Sequence, residues 1–146
     1  MAYLTIPPIG DYIPDTHPSP VKVLKLSMGY GTDKDVPLAA QAVYNLVSVA
    51  ANTLILSVRA EVLAPVGAST SITVGDSDDV DGWFTDTDLA PATSDTLGNL
   101  EDGSGAYAKG RYYPTAHNID AVVGGANCTA GSINLFIEYC IVNDPA

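Results

Sequence analysis

Apolar and polar side chains alternate along much of the chain from residue 21 onward, and this period of two is typical of half-buried β-strands. In residues 53–62 the alternation places Ser57, Arg59 and Glu61 on one face and apolar side chains on the other. The apolar face consists of Leu54, Leu56, Val58, Ala60 and Val62. The alternation resumes at residues 71–74, and residues 64–69 between the two runs carry the proline and glycine signals of a hairpin connection.

Further strands are predicted towards both ends of the chain. Residues 133–142 carry apolar side chains on both faces, so this strand is either central in a sheet or covered on its second face by a partner. Weaker strands are predicted over 21–28, 42–49, 106–113 and 118–123. The residues just before the strand at 42–49 also fit a single helical turn. About seven or eight short antiparallel strands, with frequent turn signals between them, indicate an all-β fold, a single β-sandwich or jelly-roll-like domain over residues 21–146.

The first twenty residues have a different character, because five prolines stand between isolated apolar side chains. Proline fixes φ and removes a backbone donor, so residues 1–20 are predicted to form an extended arm outside any sheet. The apolar side chains of this arm need a surface to cover, either on the same domain or on a neighbouring chain. They are Tyr3, Leu4, Ile6, Ile9, Tyr12 and Ile13.

An acidic segment without lysine or arginine spans residues 76–105 and is predicted to be a long surface loop held by a few apolar side chains. Trp83 either plugs this loop onto the core or belongs to an interface, and we favour the plug. Residues 77–82 also resemble the start of a calcium loop, with Asp79 and Asp81 at the third and fifth positions and Asp88 at the twelfth. A solvated acidic loop needs no metal, and it is the interpretation that we favour.

Charge and composition exclude several classes of protein. The chain has 146 residues, enough for one domain, and 6 basic against 17 acidic side chains give a net charge of −11 that repels nucleic acids and anionic membrane surfaces. Polar residues interrupt every long apolar stretch, so no membrane span is predicted. The first residues do not form a secretory signal, and we expect synthesis in a cytoplasm with Cys128 and Cys140 as free, mostly buried thiols.

Candidate chemistry is sparse. His17 and His117 have no nucleophile or orienting acid at a recognisable spacing, and the chain contains no hydrolase, metalloprotease or phosphate-loop motif. We therefore predict no catalytic, cofactor-binding or metal-ligating residues and no enzymatic activity. Tyr107, Tyr112 and Tyr113, with Lys109 and Arg111 among them, form an aromatic and basic segment suited to an interface or a sugar platform. We favour a contact with acidic loops of another copy of the chain.

Much of the chain resembles small virion structural proteins of tailed bacteriophages. The resemblance begins with residues 47–62, VSVAANTLILSVRAEV, followed by residues 71–84, SITVGDSDDVDGWF. It continues through Gly105-Ala106-Tyr107, residues 117–121 and residues 131–139, and so covers about residues 42–142. Its pattern of strand, glycine- and aspartate-rich loop, then strand carries no catalytic signature. The arm before residue 21 is not part of the resemblance.

The resemblance implies a β-sandwich subunit on the exterior of a phage head. It implies a decoration or cement protein that binds the major capsid protein lattice, stabilises the head and acts as a homo-oligomer, a trimer or a dimer, without a cofactor. That the arm supplies the capsid contact is our own hypothesis.

The alternative is a tail or head fibre or spike module that binds host-surface glycan, with calcium in the acidic loop as an optional part. Its candidate platform would be formed by Trp83, Tyr107, Arg111, Tyr112 and Tyr113.

Overall fold

The computed structural model describes residues 20–89 and 98–142, and in these two ranges the chain forms nine β-strands and no helix. The predicted arm, residues 1–20, therefore lies outside the described residues except for Pro20. The strands are β1 (Lys22–Gly29), β2 (Val36–Pro37), β3 (Val43–Val49), β4 (Thr53–Ala64), β5 (Ser71–Gly75), β6 (Leu100–Asp102), β7 (Arg111–Tyr113), β8 (His117–Gly124) and β9 (Ser132–Ile141).

The strands form two sheets whose inward faces share one core. The larger sheet has the order β2-β1-β9-β4, and β6 and β7 both pair with β4 at different points along it. The smaller sheet has the order β3-β8-β5. The chain crosses between the sheets at most of its connections, and only the short β1–β2 pair is parallel. The prediction of an all-β sandwich is confirmed.

The predicted hairpin over residues 53–74 is wrong, because β4 lies in the larger sheet and β5 in the smaller one. Residues 65–70 carry the chain across one end of the sandwich. Val66 and Thr70 are both buried there, and the Thr70 hydroxyl donates to the carbonyl of Asn127 at 3.1 Å. The proline and glycine signals report a break in the strand pattern, and they contain no information about which strand pairs with which.

The inward face of β4 also differs from the predicted one. The pairing of β4 with β9 shifts between Ile55 and Ser57, which marks a β-bulge. The extra residue moves Ile55 to the core side, whereas Leu54 and Leu56 are only partly buried. Beyond the bulge the predicted face is correct, and Val58, Ala60 and Val62 are buried.

The last strand, β9, is central in the larger sheet, between β1 and β4. Ile133, Leu135 and Ile137 point into the core. On the opposite face Phe136 lies under the ammonium group of Lys25, 5.9 Å from its ring centre. The second face of β9 is mixed, because beside this cation–π contact Asn134 Nδ2 donates to Glu61 Oε2 at 3.1 Å.

Residues 106–113 form a strand only at their end, over Arg111–Tyr113. The preceding residues form turns, with the backbone N–H of Gly110 donating to the carbonyl of Tyr107 at 2.8 Å. Gly110 has a φ of +103°, a left-handed backbone conformation that closes these turns directly before β7 begins. The helical turn considered before residue 42 is absent, since residues 38–42 contain only bends and extended chain.

The core contains side chains from both sheets and from the acidic segment. Its largest fully buried members are Trp83, Tyr113, Phe84, Met28, Leu38, Ile55, Ile72, Leu89, Ile119, Ile133, Leu135 and Val74. Across the described ranges, no helix is long and apolar enough to cross a membrane.

Candidate interaction surfaces

Apolar side chains fasten the acidic segment to the sandwich. Trp83, Phe84 and Leu89 are each at most 1% exposed. Phe84 forms an antiparallel bridge with Val74 of β5, with backbone hydrogen bonds of 3.0 and 3.1 Å. Trp83 therefore occupies the core in the manner of the plug interpretation, whereas Val80 of the same segment is 57% exposed.

Asp76, at the end of β5, is the centre of a polar cluster that we call the Asp76 clamp. Its carboxylate is fully buried and accepts hydrogen bonds from the hydroxyl of Tyr113 at 2.8 Å and of Tyr107 at 3.2 Å. It also accepts from the backbone N–H groups of Asp78 and Asp79, at 2.9 and 3.0 Å. The clamp consists of Asp76, Asp78, Tyr107, Arg111, Tyr113 and His117.

Arg111 supplies the positive charge of the clamp. Its Nη1 lies 3.2 Å from Asp76 Oδ2, and its Nη2 lies 2.7 Å from Asp78 Oδ2. The guanidinium also stacks on Tyr107 and Tyr113, 4.3 and 4.9 Å from their ring centres. The hydrogen bond from Arg111 lowers the pKa of Asp78, while burial and the hydrogen bond to Asp76 raise the pKa of Tyr113. Arg111 is thus paired with aspartates of its own chain. Its charge is therefore already used there, which gives no support to the predicted contact between Arg111 and acidic loops of another copy.

His117, at the start of β8, completes the clamp. Its Nε2 lies 3.2 Å from Asp78 Oδ2 and its Nδ1 lies 3.1 Å from the carbonyl oxygen of Thr115. The carbonyl of Thr115 raises the pKa of His117, and Asp78 adds to this effect. Both ring nitrogens therefore face acceptors, an arrangement that suits the protonated imidazolium and not a general base.

The five residues considered as an interface or glycan platform do not form one surface. Trp83 and Tyr113 are buried, Tyr107 is partly buried, and the side chain of Arg111 is 21% exposed. Tyr112 is 44% exposed, and its hydroxyl donates to Asn52 Oδ1 at 2.9 Å. Because neighbouring residues of a strand point to opposite faces, Tyr112 is directed away from Arg111 and Tyr113.

In the calcium-loop interpretation, the twelfth position is occupied by Asp88, which has a structural role here. Its carboxylate accepts from the backbone N–H groups of Thr85 and Ser104 at 2.8 and 2.9 Å, and from the hydroxyl of Ser104 at 2.8 Å. Burial alone would raise the pKa of Asp88, but these hydrogen bonds bring it below its usual value. Within the described part of the chain, no three His, Cys, Asp or Glu side chains converge in a way that could hold a metal ion.

The two cysteines are buried and do not form a disulfide with each other. Cys128 donates to the carbonyl of Ala130 at 3.2 Å, and burial raises the pKa of its thiol. A buried thiol with a raised pKa is a poor nucleophile, so Cys128 has the properties of a core residue.

An apolar cleft of about 170 Å³ opens between the two sheets at one end of the sandwich, and we call it the end cleft. It lies where β1, β4 and β8 begin and where β3 and β9 end. Its walls are Leu24, Val47, Ser48, Val49, Ala50, Thr53, Ile55, Ile119, Ile137, Tyr139 and Ile141. Sequence reasoning missed this cleft, because five separate segments build it and none has a local pattern that marks a cavity.

The start of β1, residues 21–26, which we call the β1 edge, carries exposed apolar side chains on both faces, with Leu24 on the face of the end cleft and Val21 and Val23 on the opposite face. Val21, Val23 and Leu24 are 57%, 62% and 36% exposed. Among the described residues, β2 covers the outer edge of β1 only at Met28 and Gly29. The β1 edge therefore combines open backbone groups with apolar side chains, the properties of a surface that pairs with another chain.

No protein-family model and no curated protein matches this chain. Its fold does match chains of known phage structures. A chain in the acidic stable capsid structure of Helicobacter pylori bacteriophage KHP30 aligns over 86% of this chain and 90% of its own length, with a TM-score of 0.60 and 18% identity.

Two further matches have the same character. A chain of the cyanophage Pam1 capsid asymmetric unit aligns over 96% of this chain and 94% of its own, with a TM-score of 0.59 and 16% identity. A chain from the capsid of Ralstonia phage GP4 aligns over 92% and 91%, with a TM-score of 0.54 and 18% identity. The chain thus shares its fold with chains found in the capsids of three phages.

Proposed function

We propose that this chain is a structural protein of a bacteriophage virion. The observation that carries the proposal is the fold match with chains in three phage capsids, which spans at least 86% of this chain and 90% of each of the others. A match over nearly the whole of both chains means that the shared unit is the entire domain and not a common substructure. The Asp76 clamp supports the same view, because its charged groups are paired with one another and hold the fold together.

More specifically, we propose that the chain decorates the exterior of the head as a homo-oligomer and cements the lattice of the major capsid protein. Two features of the described surface support a role in contacts between chains, namely the β1 edge and the end cleft. The apolar side chains of the arm add a third contact in this proposal. Burial of such side chains at joints between subunits would stabilise the assembled shell.

The glycan-binding alternative gains no support from the positions of its platform residues. Trp83 and Tyr113 have essentially no exposed surface on which a sugar ring could stack. The remaining aromatic side chains point in different directions, so they offer no continuous platform.

The proposal is tested with phage particles from which this chain has been deleted genetically. Purified chain is added back, bound chain is measured by co-sedimentation, and the temperature of DNA release is recorded. We expect saturable binding and a higher release temperature, because a ligand that binds only the intact lattice stabilises it by mass action. A chain that neither binds nor shifts the release temperature is not a cement protein, and its absence from wild-type virions would overturn the structural role itself.

One deletion and one pair of substitutions assign the contact surface. Deletion of residues 2–20 should abolish binding to particles, and full binding by the deleted chain would exclude the arm. For the β1 edge, Val23→Asp should weaken binding, whereas Val80→Asp should leave it unchanged, since the two valines are similarly exposed at 62% and 57%. Equal effects of the two aspartates would mean that added charge alone accounts for the loss.

A further inference from the structure

The end cleft is shaped for a single large apolar side chain. Eight of its eleven lining residues are aliphatic, the others being Ser48, Thr53 and Tyr139, and the hydroxyl of Thr53 already donates to the carbonyl of Ala50 at 2.7 Å. An enclosed cavity of about 150 Å³ lined by Leu, Ile and Phe binds benzene, so the cleft volume of about 170 Å³ is large enough for one aromatic ring or branched side chain.

The arm joins the domain beside this cleft. Leu24 of β1 is part of the wall, and β1 begins only two residues earlier, at Lys22. Nineteen residues precede Pro20, the first described residue, and the nearest large apolar side chains among them are Tyr12 and Ile13.

We propose that the end cleft binds the side chain of Tyr12 from the arm of a second copy of this chain. Asp11 and Asp15 lie close to Tyr12 in the sequence, while Lys22 lies on the same face of β1 as Leu24. An acidic flank thus meets one of the few basic residues of a chain with a net charge of −11.

The spacer between Ile13 and Val21 favours a second copy over the same chain. Pro14, Pro18 and Pro20 fix their own φ angles, and each also disfavours helical or turn conformations in the residue before it. Six of the eight residues from 13 to 20 are restricted in this way, which favours an extended spacer of roughly 3 Å per residue. A spacer of this kind would separate Tyr12 from the cleft beside which the spacer starts, and so favours the cleft of a neighbour.

Disulfide trapping on the purified full-length chain tests the proposal. One chain carries Asp11→Cys, next to the proposed anchor, and a second chain with a tag of different mass carries Ser48→Cys, at an exposed position in the cleft wall. The two are mixed under mild oxidation, and unmodified chains give the background from Cys128 and Cys140. We expect a mixed dimer whose yield falls roughly tenfold when Tyr12→Ala is added, because an anchoring ring is lost.

Two matched controls determine what the crosslink means. Ser69→Cys, exposed at the opposite end of the sandwich, should give only background, and Tyr3→Ala should leave the yield unchanged. A third sample carries Asp11→Cys and Ser48→Cys on the same chain, and a crosslink that forms only within such chains would overturn the proposal. A crosslink equally strong with Ser69→Cys, or no crosslink at all, would overturn it as well. The experiment involves no capsid, so its failure would leave the proposed virion role intact, and failure to bind particles would leave this contact intact.

Discussion

At the scale of single residues, Asp76 has the largest number of partners in the clamp. Its buried carboxylate receives two tyrosine hydroxyls, two backbone N–H groups and the guanidinium of Arg111. Asp76→Asn removes the buried negative charge that pairs with Arg111. It also replaces one acceptor oxygen with an NH2 group, which is a donor and faces a tyrosine hydroxyl that donates in the wild-type chain. We expect the free energy of unfolding to fall by about 2–4 kcal/mol, measured by urea denaturation with the fluorescence of Trp83 as the signal.

Asp102→Asn is the matched control for this substitution. Asp102 also pairs with an arginine, Arg59, at 2.9 Å, but its side chain is 77% exposed. An exposed ion pair contributes about 0–1 kcal/mol, so this variant should unfold at nearly the wild-type urea concentration. Equal losses in the two variants would show that burial of Asp76 has no special importance.

His117 gives the clamp a dependence on pH. Because the Thr115 carbonyl and Asp78 raise its pKa in the folded chain, folding favours the protonated ring. The stabilisation is fully present below the unfolded value of 6.5 and is lost as the pH rises through the higher folded value. The unfolding free energy of wild type minus that of His117→Gln should therefore decrease between about pH 5.5 and about pH 8.5.

Asp78→Asn provides the control for this titration, because it removes the negative charge beside Nε2 of His117 and leaves the Thr115 carbonyl in place. The decrease with pH should become smaller in this background. A difference between wild type and His117→Gln that stays constant over the same pH range would show that the ring does not gain its proton on folding.

The clamp also shows which parts of the site the sequence can predict. The alternation ends at Asp76, and the run of aspartates after it indicates a turn of the kind seen in the hydrogen bonds to Asp78 and Asp79. The other partners, Tyr107, Arg111 and Tyr113, come more than thirty residues later. Only the packing of the acidic segment against β5 brings them to the carboxylate, and no local pattern encodes that approach.

At the scale of elements, the central position of β9 leads to a prediction about packing. Leu135 is fully buried in the core, while Leu63 at the end of β4 is 49% exposed. Leu135→Ala should lower the free energy of unfolding by about 2–5 kcal/mol, and the chemically identical Leu63→Ala by less than about 1 kcal/mol. Chemical denaturation of the two variants checks this, and similar losses would contradict the assignment of β9 to the core.

The strands themselves were predicted well where they are long. Alternation identifies β1, β3, β4, β5, β8 and β9, because each buries one or both of its faces. It does not identify β2 and β6, which have two and three residues and too few side chains to form a period. It also misplaces Leu54 and Leu56, since a bulge adds one residue and reverses the faces on its far side.

At the scale of the whole molecule, pairing between strands escapes sequence reasoning for a physical reason. Side-chain alternation reports how many faces of a strand are buried, and turn residues report where the chain bends. Neither states which sheet the chain enters next, and here successive strands mostly enter opposite sheets. The fold class followed from the sequence, whereas the topology depends on contacts between residues far apart in the chain.

This order of strands has a consequence for synthesis of the chain. β9 separates β1 from β4 in the larger sheet, yet its residues, 132–141, follow both strands in the chain and are synthesised after them. During translation β1 and β4 lack their shared neighbour, and their inward apolar faces stay open to water or to chaperones. The larger sheet closes only after β9 leaves the exit tunnel, because its main pairings join residues distant in sequence. Any assembly partner that needs the closed sheet therefore binds only after β9 has been synthesised and has paired with both β1 and β4.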